Sequence, residues 1–170
     1  MDFNYNKNNV QYLDGFIEDN DHFYYLKVYF EDTDAGQIVY HTNYLKYFER
    51  ARTSLLNLLK IDQVELRKKH NIILVVRKAD LIWYKPALLN DLLLIKTCLK
   101  YAKNSSITIE QNAYRINKVD KKSDILVSGV IQIVGIDNKF KVKRINKILN
   151  NDFFKINKSN IRGFKNEVRN

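Results

Sequence analysis

Residues 28–56 read VYFEDTDAGQIVYHTNYLKYFERARTSLL, and the fold turns on how this stretch divides. Val28 to Phe30 are β-branched and aromatic, which suits a strand, whereas Glu31-Asp32-Thr33-Asp34-Ala35-Gly36 has the composition of a turn. Past Tyr40 and His41, apolar residues at Tyr44, Leu45, Phe48, Ala51, Leu55, Leu58 and Leu59 recur at helical spacing and give one face. Thr42 or Asn43 can cap that helix. A short acidic loop therefore stands beside a helix start whose first N–H groups have no partner within the helix. Such a start can receive the negative charge that develops on the oxygen of an attacked carbonyl. A carboxylate at Asp34 could attack that carbonyl or take a proton from water. Aspartates also shape turns, so residue chemistry alone leaves both roles open for Asp34.

Working outward, His22 to Phe30 reads as a first strand with Tyr24, Leu26, Val28 and Phe30 on one parity, and His22 is expected at the surface. The helix extends over residues 43–60, with Lys46, Glu49, Arg50 and Arg52 off its apolar face and Glu49 spaced to pair with Arg52. Residues 62–70 suggest a short capped helix ending at His70, where a cation is favoured. Strands follow over 72–84, 92–101, 105–116 and 125–136, separated by Pro86, Asn90-Asp91 and polar turns at 103–104 and 118–124. Five strands with hairpin links and one long helix after the first predict an antiparallel α+β unit. Arg77-Lys78 interrupts the second strand, as a bulge, as a segment reaching solvent or as a basic pair facing a ligand.

A chain of 170 residues fits one domain with appended segments. We divide it into a polar extension over 1–21, a core over 22–136 and a basic tail over 137–170 with scattered apolar residues that could dock as a short helix. The first sixteen residues have neither a basic start nor an apolar run, and no 18-residue apolar stretch follows, so the expected location is the cytoplasm. The single Cys98 excludes an internal disulfide and a cysteine-based zinc cluster, and its strand position suits packing. Net charge is +10, and residues 137–170 hold ten Lys/Arg against three Asp/Glu. Such a tail suits an acidic carrier protein, an anionic membrane surface or phosphates. It lacks the aromatic-basic platform of a specific nucleic-acid binder.

The string VYFEDTDAG-x-IVYH-x-NYL-x-YFERAR resembles the signature of the 4-hydroxybenzoyl-CoA thioesterase family, and looks closest to its Tol-Pal-associated acyl-CoA thioesterase branch. Val75-Val76-Arg77-Lys78, Tyr84-x-Pro86-Ala87 and Asp91-x-Leu93-x-Ile95-x-Thr97 continue the match in order, over about residues 24–136. The resemblance implies a hot-dog fold, a five-stranded antiparallel sheet wrapped around one long helix, in a homodimer or homotetramer with sites between subunits. It implies hydrolysis of an acyl-CoA to free acid and CoA, with no cofactor and no metal, CoA being part of the substrate. Asp34 would attack or activate water while a backbone N–H near Tyr40 and His41 polarises the carbonyl. His41 would orient water, protonate the thiolate or shape the helix start, and Tyr40 suits packing more than chemistry. Arg77 and Lys78 would meet the CoA phosphates. One position departs: the family pattern has a glycine two residues before the valine of VYH, and here that position is Gln37.

Two other readings compete. Asp32-x-Asp34 after a strand is similar to the haloacid-dehalogenase phosphatase motif, which expects Thr or Val where Gly36 stands, and the alternation of a parallel sheet is missing. The alternative outside enzymes is a non-catalytic hot-dog module that binds acyl-CoA, acyl carrier protein or a membrane-associated partner.

Overall fold

The computed structural model describes residues 12–116, 123–146 and 148–149. Six strands form one antiparallel sheet: β1 (Phe16–Glu18), β2 (Asp21–Lys27), β3 (Ile73–Trp83), β4 (Leu92–Ala102), β5 (Ser106–Ile116) and β6 (Ser123–Ile136), in the order β1-β2-β4-β5-β6-β3. Helix α1 (Asn43–Leu58) lies on one face of this sheet and a shorter α2 (Gln63–His70) follows it. The α+β class and the wrapping of a sheet around a long helix agree with the sequence reading. The strand count does not. Three residues of the segment read as a polar extension pair with β2 as β1, where Phe16 stacks on Phe23 with ring centroids 5.2 Å apart.

Helix α1 buries Tyr44, Tyr47, Phe48, Ala51 and Leu55, positions three or four apart that stack on one side. Leu45 points outward and Tyr47 takes its place in the core. The helix approaches β6 closely because Gly129 has no side chain: a Cβ there would lie 3.1 Å from Phe48 Cε2. Burying Phe48 completely contributes about 1.5–3 kcal/mol. In the sheet, Leu93, Ile95 and Thr97 alternate inward along β4, as period two requires. Helix α2 is capped by Asp62, whose Oδ1 accepts from Val64 N at 2.7 Å and Glu65 N at 3.1 Å, and it ends at Asn71 in the left-handed conformation.

Several local expectations are corrected by packing. His22 is fully buried and not at the surface, because its parity is that of Tyr24 and Leu26 and the turn Tyr12–Asp14 covers it; its Nε2 meets Asp14 O at 2.8 Å. The first strand stops at Lys27, and Phe30 sits 81% exposed in a 3₁₀ turn (Phe30–Asp32). Arg52 turns inward to Gln111 instead of pairing with Glu49, which accepts from Thr53 Oγ1. Ile145 and Leu149 belong to the core, so the packed unit runs past residue 136. Gly135 makes room for this: a Cβ there would collide with Ile145 Cγ2. The expected docked helix reaching Phe153, Phe154 and Ile156, and most of the basic tail, lie outside the described residues.

Candidate active site

The Glu31–Gly36 turn is held from its inner side. Asp32 is buried, its Oδ2 accepts Tyr29 N–H at 2.8 Å, and its backbone carbonyl accepts both Tyr40 N–H at 3.0 Å and Asn43 Nδ2 at 2.8 Å. The Tyr47 hydroxyl is buried beside it; burial, and after it the Asp32 charge, push its pKa up. Thus one residue ties the acidic turn to the first turn of α1. Asp32 braces the loop from that position, and Asn43 secures the joint with a bond eleven residues back.

Asp34 faces the other way. It is exposed, its Oδ1 accepts Gly36 N–H at 2.8 Å, and among the described residues Oδ2 has no partner. The loop closes on itself through Gln37 N to Asp34 O at 2.9 Å and Asp34 N to Ile38 O at 3.0 Å. Gln37 takes φ 60, the left-handed region where glycine is favoured, so the glutamine at the family's glycine position follows a glycine-like path under strain.

Beside Asp34 runs a groove of about 340 Å³ whose walls include Tyr40, His41, Tyr44, Trp83 and Tyr84. The backbone N–H of Tyr40 is taken by Asp32 O, whereas among the described residues those of His41 and Thr42 have no partner. Thr42 occupies the N-cap position without a side-chain cap bond, so the helix start is uncapped on the groove side. The His41 ring packs 4.5 Å from Tyr40 and edge-on 6.1 Å from Trp83, centroid to centroid, and Trp83 Nε1 donates to His41 O at 3.3 Å. Tyr44 forms the buried floor; its hydroxyl accepts Ala87 N–H at 2.9 Å, and burial raises its pKa.

The structure therefore brings Asp34, Tyr40 and His41 together. Arg77 and Lys78 stay apart from them. Arg77 is the extra residue of a bulge between Val76 and Lys78 on the last strand of the sheet, and Lys78 pairs with Asp80 at 2.6 Å. Trp83, Tyr84 and Lys85 were not read as site residues. Their signal was available: they stand where the second predicted strand ends, directly before Pro86, and strand ends are where loops place functional groups. Lys85 also pairs with Asp124 at 2.9 Å, which holds the Asp124 carboxyl below its ordinary pKa.

Known proteins resemble this chain both in sequence and in fold. The model of the thioesterase-like superfamily aligns with residues 28–152. This chain belongs to that superfamily. Among curated relatives, the acyl-CoA thioesterase YbgC of Haemophilus influenzae is 37% identical over 112 residues, 66% of this chain and 82% of that protein. The acyl-CoA thioester hydrolase YbgC of Escherichia coli O157:H7 is 34% identical over 112 residues, covering 66% and 79%. Among solved structures, a probable thioesterase from Bartonella henselae superposes with a TM-score of 0.66 at 28% identity, over 73% of this chain and 98% of that one. A 4-hydroxybenzoyl CoA thioesterase mutant complexed with 4-hydroxybenzoyl CoA reaches a TM-score of 0.71 at 14% identity over 80% and 97%, a likeness of fold.

Proposed function

We propose that this thioesterase-like chain hydrolyses acyl-CoA to the free acid and CoA, with Asp34 as nucleophile or general base and the His41 backbone N–H polarising the carbonyl. One observation carries the reading: the free Oδ2 of Asp34 and the unpartnered N–H of His41 border the same groove. The curated relatives named as acyl-CoA thioesterases support the substrate class.

If Asp34 attacks, Oδ2 bonds to the carbonyl carbon, the C–S bond breaks, CoA leaves as thiolate, and water cleaves the acyl–aspartyl anhydride. If Asp34 acts as base, water forms the new C–O bond, its proton passes to the carboxylate, and the C–S bond breaks as CoA leaves as thiolate. Both routes place negative charge on the same carbonyl oxygen, where a preorganised N–H at a helix start is most effective. Thiolate is a good leaving group, so this modest apparatus suffices. The His41 imidazole stands at the groove as a proton source for the thiolate, while Tyr40 shapes the wall.

Among the described residues no strand pairs with the outer edge of β3, which presents Val76, Ile82 and Trp83 to solvent. Long apolar edges invite pairing, and we assign this edge to a homodimer, with a homotetramer as the next assembly. Arg77 and Lys78 serve as CoA-phosphate contacts at a distance from the groove, about 16 Å of strand separating Lys78 from Trp83 in one protomer, a span comparable to the extended pantetheine arm of CoA. Among the described residues no helix is long and apolar enough to cross a membrane. We place the protein in the cytoplasm, with the basic tail available to acyl carrier protein or a membrane surface.

The test is thiol release from short, aromatic and long acyl-CoAs by wild type and Asp34→Asn. Turnover that falls at least about a hundredfold in the variant is the expected result. A wild type inert on every ester, or a variant as active as wild type, rejects the assignment.

A further inference from the structure

The segment that joins the acidic turn to α1 is a closed turn of its own. Asn43 N–H donates to Tyr40 O at 2.8 Å, and Thr42 stands at φ −73, ψ −20, which makes residues 40–43 a type I turn. In such a turn both central residues are helical, so the N–H groups of His41 and Thr42 run side by side, and among the described residues neither has a partner. The ends of the turn are fixed from within, since Asp32 O accepts Tyr40 N–H at 3.0 Å and Asn43 Nδ2 at 2.8 Å. The central peptide, between His41 and Thr42, is the one that a turn's closing bond leaves able to rotate. Its carbonyl is met from β3. Trp83 Nε1 donates to His41 O at 3.3 Å while the indole packs against the His41 ring, centroids 6.1 Å apart at 77°. A peptide whose carbonyl accepts a hydrogen bond has a more polarised N–H, and the N–H of this peptide is that of Thr42.

We propose that Trp83 is a positioning residue: it holds the His41–Thr42 peptide so that the Thr42 N–H stands beside that of His41 as a second donor to the oxygen on which charge develops. This role rests on the hydrolysis reading above, and adds to it a donor and the side chain that orients it. Two preorganised N–H groups receive a developing oxyanion better than one. The indole is 46% exposed, so water competes for it and the bond contributes no more than an ordinary neutral hydrogen bond. The kinetic effect is correspondingly modest.

Trp83 is the sole tryptophan of the chain, so growth with benzothienylalanine exchanges this one indole N–H for sulfur at nearly constant shape. In the full chain, kcat on the best substrate among acetyl-, benzoyl- and palmitoyl-CoA should then fall about two- to tenfold, with KM, melting temperature and sedimentation as in wild type. Trp83→Phe should do the same. The deciding signature is spectroscopic: in Asp34→Asn, where bound ester persists, the isotope-edited infrared band of the thioester carbonyl should move to lower frequency on binding, and move less when residue 83 carries sulfur. An unchanged kcat or an unchanged carbonyl band with the sulfur analogue would overturn the positioning role and leave the hydrolysis reading standing. A loss of activity accompanied by altered sedimentation would overturn it too, placing Trp83 in the β3 dimer edge instead. A wild type inert on every ester, or an Asp34→Asn variant as active as wild type, would overturn both.

Discussion

The inner and outer sides of the Glu31–Gly36 turn carry the same side chain to opposite ends. Asp32, two residues before Asp34, is only 4% exposed and is bonded into the joint between loop and helix. Asp34 is exposed, restrained through one oxygen and open through the other. A carboxylate whose acceptor sites are occupied by backbone donors holds structure, because removing it leaves buried donors unpaired. One with a free oxygen beside an unpartnered N–H is available for chemistry. The comparison teaches that residue type and local sequence do not separate these roles; the direction of each side chain relative to the packed helix does.

The largest effect that would sharpen this contrast is kinetic. Asp34→Asn should lower thioester turnover at least about a hundredfold while urea unfolding shows the stability of wild type; loss of both together would erase the distinction. Next comes the inner side: Asp32→Ala strands the Tyr29 N–H and should cost about 1–3 kcal/mol in chemical denaturation. Turnover measured well below the unfolding midpoint should fall far less than in the Asp34 variant. Between the two sides lies Gln37, held at φ 60. Replacing it with glycine relieves left-handed strain of about 1–2 kcal/mol, against the entropy that glycine adds to the unfolded chain. The net gain expected in a melting experiment is about 0.5 kcal/mol or more, and a loss would show that the glutamine side chain contributes contacts of its own.

A smaller effect comes from the far end of β2. Burial lowers the His22 pKa, so the unfolded chain binds a proton that the folded chain resists. Stability from this group is complete above the ordinary histidine pKa of about 6.5 and is lost as pH falls below it. The melting temperature should therefore drop from pH 7.5 to pH 5.5, and His22→Gln should reduce that drop. Cys98 offers a final check by alkylation: burial, and after it Asp21, push its thiol up to about 12, so iodoacetamide at pH 8 should modify it far more slowly in the native than in the urea-unfolded chain.

Much of the architecture was legible because it rests on local period. Tyr44, Phe48, Ala51 and Leu55 mark a helix by their spacing, and Leu93, Ile95 and Thr97 mark a half-buried strand by theirs. The acidic turn and the motif around it located Asp34, Tyr40 and His41, which share one groove. His22 was misplaced because its burial is due to a turn eight residues away, which no strand pattern reveals. Glu49 and Arg52 looked like a surface pair by helical spacing alone; the acceptor that claims Arg52 is on β5, 59 residues later. The Arg77 bulge was among the options read from the strand, but its separation from the Asp34 groove depends on strand order.

By itself the sequence determined the two helices, most of the strands, the α+β class and the loop that bears the candidate nucleophile, since these follow from periodicity and short-range turn chemistry. Only the tertiary structure decided which aspartate is enclosed, which N–H groups stay unpartnered, and that Trp83 and Tyr84 wall the groove, because each depends on residues brought together from distant strands around α1.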